Sequence, residues 1–289
     1  MKAFLTDSTE HLRSSLARHG LAVGRVESSV FADRERRYRL KGEVAGDQVA
    51  IIASILPAPE SLFDLLALHR LLLENGAAGI SLIVPYLGYA RQDRQNRKGE
   101  ASIGAMVAEL LRNLKTSRLV VCDVHSERIR QTLGPTVVEA IALPLFAAAL
   151  AKHPPDAVIA PDKGSVPRAR RLAELLQPHP EVALIDKVRP RPNVAIARHL
   201  HGDVRGKNTL IVDDMIDTGG TLAEAVKIAF ENGAAAIRIA ATHGIFSGEA
   251  RDRLASLPVD EILVTNTLPQ VRHAKIRRVD IVPLLLAAL

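Results

Sequence analysis

The sequence predicts an α/β protein built on parallel sheets, and three observations support this class. Short runs rich in β-branched residues alternate with longer segments in which apolar residues recur at helical spacing. A strand, a helix and a second strand in series form a parallel pair with a right-handed crossover. The strand-like runs are almost continuously apolar, as at residues 78–85, which is typical of strands covered on both faces.

Each predicted element follows from its local pattern. The β-branched runs predict strands at residues 49–56, 78–85, 118–123, 157–161, 182–185, 209–213, 237–242 and 261–265. Helical spacing predicts helices at residues 62–74, 102–113, 166–176, 221–232 and 248–255. Residues 26–39 alternate apolar and polar side chains around a polar centre, so we expect a protruding β-hairpin there.

The chain is long enough for two domains, because it has 289 residues and a typical domain has about 150. The sequence KHPPDA at residues 152–157 follows an apolar helical run and precedes a new strand, which places the boundary between residues 141 and 157. Each half then contains a strand that ends in a polar loop before a helix. A duplicated α/β unit would explain this arrangement, although the two halves share few identical residues.

The composition favours small anionic ligands. The net charge is +6 and the isoelectric point is near 9.7, and both values favour anionic partners. Six Phe, three Tyr and no Trp are too few for the stacking platforms of a single-stranded nucleic-acid surface. We therefore expect phosphorylated small molecules as ligands and no nucleic-acid partner.

The single cysteine and the length of the apolar runs predict the cellular compartment. Cys122 cannot form an internal disulfide, which fits a reducing cytosol. The amino terminus lacks the apolar stretch of a signal peptide, and the longest apolar runs, at residues 140–151 and 281–289, are too short to span a bilayer. We expect a cytoplasmic protein with no membrane partner.

The strongest local signal is the sequence TLIVDDMIDTGGTL at residues 209–222. An apolar strand leads into Asp213 and Asp214, then into a loop with two glycines and then into a helix. Glycine-rich loops turn backbone N–H groups toward a phosphate, and the helix amino terminus favours negative charge. Carboxylates at the carboxyl end of a strand can accept hydrogen bonds from sugar hydroxyls. An ordinary capped turn is the alternative, but it does not need two acids, two glycines and two threonines in this order.

This stretch resembles the 5-phosphoribosyl diphosphate motif shared by phosphoribosyltransferases and ribose-phosphate diphosphokinases. The resemblance to the diphosphokinases, also called phosphoribosyl pyrophosphate synthetases, extends almost from end to end. It includes PYLGYARQDRQ (85–95), CDVH (122–125), APDKGSVPRA (160–169), IDKVR (185–189), GDVRGK (202–207), THGIFSGEA (242–250) and TNTLP (265–269). The short GEASI sequence at residues 99–103 is similar to the shorter archaeal-type members.

The resemblance implies two phosphoribosyltransferase-like domains, one at residues 1–141 completed by residues 276–289, and one at residues 142–275. It implies transfer of the β,γ-diphosphoryl group of ATP to the 1-hydroxyl of ribose 5-phosphate, which gives 5-phosphoribosyl 1-diphosphate and AMP and requires Mg²⁺. Asp213 and Asp214 would bind the ribose hydroxyls. The loop for the 5-phosphate would be Asp217, Thr218, Gly219, Gly220 and Thr221. The loop that faces the diphosphate would be Asp203, Val204, Arg205, Gly206 and Lys207.

The resemblance also implies an ATP site on a cationic loop and on the predicted hairpin. Arg91 and Gln92 would contact the nucleotide, and an Arg side chain can bind phosphate oxygens bidentately. Phe31 would stack on adenine while Asp33 and Glu35 read its edge, in the site of a neighbouring subunit of a homo-oligomer. Core packing is the alternative for Phe31.

The hairpin departs from the family pattern at one position. Arg34 stands where the family has glycine. Arg34 would be strained if its position requires a positive φ.

Four further residues would complete the catalytic machinery that the resemblance implies. Lys187 and Arg189 would be catalytic, since a closing loop with two cations can exclude water and neutralise the charge of the transferred group. Their alternative is a solvated linker. His125 and Asp162 would be metal ligands, although Mg²⁺ prefers oxygen donors.

Three other functions remain open for the sequence. A basic nucleic-acid binder is possible from the charge alone but has no recognition element to support it. A phosphoribosyltransferase would consume the product with a nucleobase, but the similarity at residues 85–95 and 185–189 argues against it. A catalytically silent regulatory paralogue would be a binding protein, and retention of Lys187, Arg189, His125 and Asp162 argues against that.

Overall fold

The structure, a computed structural model, describes residues 1–188, 197–269 and 272–289, with the backbone alone at residues 187, 188, 197 and 198. The chain divides into two compact units. The first comprises Met1–Ile141, Thr267–Pro269 and Val282–Leu289. The second comprises Ala142–Asn266 and Gln270–Ile281.

The first unit is organised around a parallel sheet. In chain order it contains β1 (Lys2–Leu5), α1 (Arg13–Arg18), β2 (Ala22–Val23), β3 (Arg25–Val30), β4 (Arg36–Lys41), β5 (Gln48–Ile52), α2 (Pro59–Glu74), β6 (Gly79–Val84), α3 (Ile103–Asn113), β7 (Arg118–Cys122), α4 (Glu127–Leu133) and β8 (Val138–Ala140). Six strands pair in the order β2-β1-β5-β6-β7-β8, and every pair is parallel. The central strands β5 and β6 are buried along most of their length, which explains their continuous apolar sequence.

The second unit has a seven-stranded sheet. In chain order it contains α5 (Leu143–Leu150), β9 (Ala157–Ala160), α6 (Val166–Leu175), β10 (Glu181–Val188), β11 (Ala197–His201), β12 (Asn208–Ile216), α7 (Gly220–Glu231), β13 (Ala236–Gly244), α8 (Ala250–Ala255), β14 (Glu261–Thr265) and β15 (Ile276–Val279). The strand order is β11-β10-β9-β12-β13-β14-β15. All these pairs are parallel except β10 with β11. The last helix of the chain, α9 (Val282–Ala287), belongs to the first unit.

The α/β prediction is confirmed, and each of the eight predicted strands and five predicted helices is present. The largest change of bounds is in β5, which ends at Ile52 instead of the predicted residue 56, and β12 continues past the predicted end at residue 213 to Ile216. The sequence analysis missed several short elements, because they span too few residues to show a period. These are β1, β2, α1, α4, β8, β11, β15 and α9. In the part of the chain that the structure describes, no helix has the length and hydropathy needed to cross a bilayer.

The predicted hairpin is confirmed as β3 and β4, which pair antiparallel from Arg25↔Lys41 to Val30↔Arg36. Two backbone hydrogen bonds close its turn, and both involve Phe31. The N–H of Phe31 donates to the carbonyl of Glu35, and the N–H of Arg34 donates to the carbonyl of Phe31, each at 2.9 Å. Arg34 has φ 75°, so this turn requires the left-handed conformation that glycine adopts at least cost.

The hairpin is attached to α2 through a buried carboxylate. Nη1 of Arg36 lies 3.1 Å from both carboxylate oxygens of Asp64, and the hydroxyl of Tyr38 donates to the same carboxylate. Burial raises the pKa of Tyr38 to about 12, with a further contribution from Asp64. Arg36 and Tyr38 of β4 therefore fix the hairpin against α2.

We expect the variant Arg34→Gly to be more stable than the wild type by about 1 kcal/mol, because glycine carries no Cβ penalty in the left-handed region. The free energy of unfolding in urea measures this difference. Arg34→Ala is the matched control, since it removes the same side chain but keeps the Cβ. Equal stability of the Gly and Ala variants would contradict backbone strain at this position.

Candidate active site

The carboxyl edge of the second sheet brings acidic residues from two neighbouring strands together. β9 and β12 pair in parallel, with Thr209 opposite Ala157 and Ile211 opposite Ile159. Asp162 follows the end of β9, and Asp213 and Asp214 lie in the last part of β12. Parallel strands end at the same edge of a sheet, where open α/β sheets bind ligands. The predicted ribose residues and one predicted metal residue therefore share one edge of this unit.

A serine hydroxyl connects two of these carboxylates. Oγ of Ser165 lies 3.1 Å from Oδ1 of Asp213 and 3.2 Å from Oδ1 of Asp162. The backbone N–H of Ser165 also donates to Oδ1 of Asp162, at 3.0 Å. The backbone N–H of Asp214 donates to Oδ1 of Asp213 at 2.9 Å. Hydrogen bonds thus hold both carboxylates in place before any ligand binds.

The ionisation of Asp213 is strongly perturbed. Burial raises the pKa of Asp213 to about 7, and the negative charge of the adjacent Asp214 contributes in the same direction. A cation or a sugar hydroxyl at this edge would stabilise the charged form of Asp213. Perturbed carboxylates of this kind are concentrated at functional sites.

The predicted phosphate loop follows β12 and leads into α7. Gly219 has φ 72°, and a Cβ at this position would lie 3.2 Å from the side chain of Leu254 in α8. Both observations require glycine there. The 12-residue helix α7 begins at Gly220, so Gly220 and Thr221 contribute N–H groups that have no partner within the helix. Asp217 is half-buried and Thr218 is exposed. This loop has the backbone geometry of an anion site.

The predicted diphosphate loop lies at the opposite edge of the same sheet. Asp203, Val204, Arg205, Gly206 and Lys207 connect β11 to the first residue of β12, whereas Asp213 and the phosphate loop are at its other end. Nζ of Lys207 donates to Glu181 at 2.9 Å, and the N–H of Gly206 donates to the carbonyl of Gly233. Val204 is buried in the core. A nine-residue strand is about 30 Å long, so this geometry contradicts the predicted diphosphate role.

The predicted catalytic pair is described only in part. The backbone of Lys187 lies near the carboxyl end of β10, opposite Arg198 of β11. β10 runs parallel to β9, and its pairing with β9 ends at Leu184, so Lys187 lies about 10 Å beyond that point at the carboxyl edge. Arg189 lies outside the described residues.

The predicted nucleotide loop in the first unit is joined to the loop that carries His125. Arg91 and Gln92 are exposed, and they follow β6. Oγ of Ser126 donates to the carboxylate of Asp93 at 2.6 Å. This hydrogen bond lowers the pKa of Asp93. His125 is exposed, so the structure presents Arg91, Gln92 and His125 on the surface of this unit.

The hairpin residues predicted for adenine are all exposed. The side chain of Phe31 is 51% exposed, so it is not part of the core, and this excludes the packing alternative. Asp33 and Glu35 are exposed beside it in the turn, and Oδ1 of Asp33 accepts a hydrogen bond from the N–H of Glu35 at 3.0 Å. An aromatic ring and two acidic residues are therefore available to a ligand.

The donor set fits a sparsely ligated magnesium ion. Among the described residues, no three His, Cys, Asp or Glu side chains form a group that could hold a metal ion. Mg²⁺ keeps several waters and is usually bound by one or two carboxylates together with substrate phosphates. Asp162 is half-buried, and its hydrogen bonds to Ser165 involve Oδ1, so Oδ2 has the chemistry for such a contact.

Ser165 is the residue at this edge that the sequence analysis missed as a site residue. A signal was present, since a small hydroxyl residue three positions after Asp162 begins a predicted helix. Its second partner, Asp213, is 48 residues away in sequence, and only the strand pairing brings the two together. Lys163 was also missed, and its Nζ forms an ion pair with Asp186 of β10 at 3.0 Å.

Comparison with known proteins gives the same family for both halves of the chain. Residues 1–114 match the N-terminal domain of ribose phosphate pyrophosphokinase, and residues 157–289 match the phosphoribosyl synthetase-associated domain. The ribose-phosphate pyrophosphokinase of Caldanaerobacter subterraneus subsp. tengcongensis is 36% identical over 97% of this chain and 90% of its own length. The chain belongs to the ribose-phosphate pyrophosphokinase family.

Other members of the ribose-phosphate pyrophosphokinase family support this assignment. The Pasteurella multocida enzyme is 38% identical over 93% of this chain and 87% of its own length. The crystal structure of phosphoribosylpyrophosphate synthetase from Mycobacterium smegmatis has a TM-score of 0.87 at 34% identity, and the match covers 98% of this chain and 95% of that chain. The similarity to the shorter archaeal-type members of the family stays a prediction.

We expect the stability of the variant Asp213→Asn to increase relative to the wild type as the pH rises from about 4 to about 7. In this range the folded protein retains a proton on Asp213 that the unfolded chain releases, so the wild type loses stability with rising pH. The expected gain in the free energy of unfolding is about 2 kcal/mol. One pKa unit corresponds to about 1.4 kcal/mol, and the effect is shared between the adjacent carboxylates of Asp213 and Asp214.

Urea unfolding without Mg²⁺, at about pH 4 and about pH 8, measures this change. Asp252→Asn is the control, because Asp252 is an exposed carboxylate of the same unit. If the free energies of unfolding of Asp213→Asn and the wild type differ by the same amount at both pH values, the raised pKa of Asp213 is contradicted.

Proposed function

We propose that the chain is a ribose-phosphate diphosphokinase, which transfers the β,γ-diphosphoryl group of ATP to the 1-hydroxyl of ribose 5-phosphate. The products are 5-phosphoribosyl 1-diphosphate and AMP. The observation that carries the proposal is the carboxyl edge of the second sheet, where the phosphate loop and the acidic residues of β12 lie together in a chain of this family.

The ribose 5-phosphate site is supported by the geometry of β12 and α7. The 5-phosphate would bind the N–H groups at the start of α7, at Thr218, Gly219, Gly220 and Thr221, where the helix dipole favours an anion. Asp213 and Asp214 are acceptors for the vicinal ribose hydroxyls, and Asp217 borders the same loop. In this arrangement the sugar would lie over the end of β12.

The nucleotide site is proposed on the surface residues of the first unit. Arg91 and Gln92 would contact ATP, and the hydrogen bond between Ser126 and Asp93 keeps this loop beside His125. The exposed ring of Phe31 would stack on adenine while Asp33 and Glu35 accept hydrogen bonds from its amino group. We further propose that the chain forms a homo-oligomer in which this hairpin contributes to the nucleotide site of a neighbouring subunit.

The transfer step requires charge neutralisation around the β-phosphorus. The ribose 1-hydroxyl oxygen forms a bond to that phosphorus and loses its proton, while the bond to the oxygen that AMP retains is broken. We assign Lys187 and Arg189 to stabilise the negative charge that develops on the diphosphoryl group and on AMP. The position of Lys187 near the carboxyl end of β10 supports this role, because Asp162 and Asp213 lie at the same edge.

Mg²⁺ would supply positive charge at the phosphates of ATP. Asp162 is the residue of the second unit that we propose to hold it, through the carboxylate that the backbone N–H of Ser165 orients. His125 is proposed as a ligand in the first unit. Sparse protein ligation is normal for Mg²⁺, because substrate phosphates and water complete its coordination.

A cytoplasmic location is also proposed. Cys122 is the single cysteine of the chain and a buried thiol in β7, which suits a reducing compartment.

We expect the purified protein to release AMP when it is given ATP, Mg²⁺ and ribose 5-phosphate, and to release none when the sugar is omitted. Chromatography of the nucleotides, with phosphorus NMR of the product, measures the reaction. Absence of AMP over a range of Mg²⁺ and inorganic phosphate concentrations would reject the proposal and favour a silent paralogue. Turnover of 5-phosphoribosyl 1-diphosphate only with an added nucleobase would indicate a phosphoribosyltransferase.

We expect Lys187→Ala to lower kcat by about 100-fold or more while the affinity for ATP is retained, since the loss of one preorganised electrostatic contact has this scale. Lys227→Ala is the matched control, because Lys227 is exposed on α7, two turns from the phosphate loop. Steady-state AMP release and calorimetric ATP binding measure the two effects. A near wild-type kcat in Lys187→Ala would remove this residue from the mechanism.

A further inference from the structure

The hydroxyl of Ser165 occupies an unusual position between two carboxylates. It lies 3.1 Å from Oδ1 of Asp213 and 3.2 Å from Oδ1 of Asp162, and Ser165 itself is only 6% exposed. A hydroxyl has a single hydrogen, so it can donate to only one carboxylate at a time. The two carboxylates therefore share one donor.

The hydroxyl of Ser165 does not cap the helix α6 that follows it. Ser165 is the N-cap residue of α6, a position where a serine oxygen usually accepts a hydrogen bond from the second or third helical N–H. No such side-chain bond is formed here. The cap position fixes the backbone of Ser165, while its hydroxyl is directed to the carboxylates of the ribose edge. The hydroxyl is therefore used by the site and not by the secondary structure.

The hydrogen bonds to Oδ1 of Asp213 orient its second carboxylate oxygen, Oδ2. Oδ1 of Asp213 accepts from the N–H of Asp214 at 2.9 Å and lies 3.1 Å from Oγ of Ser165. Two partners on one oxygen restrict rotation of the carboxylate and so fix the direction of Oδ2, the oxygen that we propose for the ligand hydroxyl. A half-buried carboxylate that is already oriented loses less entropy when it binds a sugar.

We propose that Ser165 is a positioning residue for the ribose site, whose hydroxyl fixes the carboxylate of Asp213 and links it to that of Asp162. This inference rests on the proposed function, because it takes ribose 5-phosphate as the ligand of Asp213. It assigns Ser165 no contact with the substrate. Removal of the hydroxyl weakens ribose 5-phosphate binding and leaves ATP binding unchanged, since Asp162 keeps the hydrogen bond from the backbone N–H of Ser165 and the residues proposed to bind the nucleotide belong to the first unit.

The test compares Ser165→Ala, Ser165→Thr and the wild type, with Ser256→Ala as a control. Ser256 is an exposed serine of the same unit whose hydroxyl donates to the carbonyl of Arg253. AMP release gives kcat and the KM for each substrate, and calorimetry gives the Kd for ribose 5-phosphate without ATP. Thermal unfolding reports whether each variant is folded.

We expect Ser165→Ala to raise both the KM and the Kd for ribose 5-phosphate about tenfold, the scale for one lost hydrogen bond to a charged group. Its KM for ATP stays within about twofold of the wild type, since uniform loss of binding for one substrate alters that substrate's KM alone. Ser165→Thr keeps a hydroxyl and retains ribose 5-phosphate affinity within about threefold. Ser256→Ala behaves as the wild type.

Equal losses for ATP and ribose 5-phosphate, or an equal loss in the Ala and Thr variants, would show a general structural role and overturn the proposal. If the wild type releases AMP and Ser165→Ala binds ribose 5-phosphate normally, only the role of Ser165 is rejected. If the wild type releases no AMP, the proposed function and the role of Ser165 both fall.

Discussion

The parallel pairing of β9 with β12 is the constraint on which the candidate site depends. The register sets Thr209 opposite Ala157 and Ile211 opposite Ile159, so the end of β9 lies beside the part of β12 that leads into Asp213 and the acidic residues meet at one edge. An antiparallel pair would place Asp162 and Asp213 at opposite edges. Buried apolar residues on both faces of the sheet maintain this pairing. From β9 the chain passes through α6 and β10 and returns through the antiparallel β11 to the edge where β9 begins, so β12 runs parallel to β9.

The same constraint concentrates negative charge where solvent is limited. Asp213 and Asp214 are adjacent in β12, and Asp162 reaches Asp213 through Ser165. Burial and mutual repulsion disfavour full ionisation of such a group, and hydroxyl donors or cations at this edge would offset that repulsion. The N–H groups at the start of α7 provide the complementary positive end for a phosphate. A sugar phosphate therefore matches both signs of charge at this edge.

In the first unit, the hydrogen bonds of Asp64 hold the hairpin that carries the proposed adenine residues. Asp64 of α2 accepts hydrogen bonds from Arg36 and Tyr38, and this buried contact fixes β4. The hairpin can then present Phe31 to solvent on a turn that includes Arg34 at φ 75°. An exposed aromatic ring on a strained turn is costly for a merely structural loop, and this supports its place in the proposed nucleotide site.

The sequence by itself determined the α/β class, the main strands and helices, the hairpin and the glycine-containing loop at residues 217–221. These features are local, because a period or a turn is encoded by neighbouring residues. The tertiary structure decided which segments share an edge. It separated residues 203–207 from Asp213, although strand direction could have shown this, since one loop precedes β12 and the other follows it. It also joined Ser165 to Asp213, a contact between distant segments that depends on strand pairing.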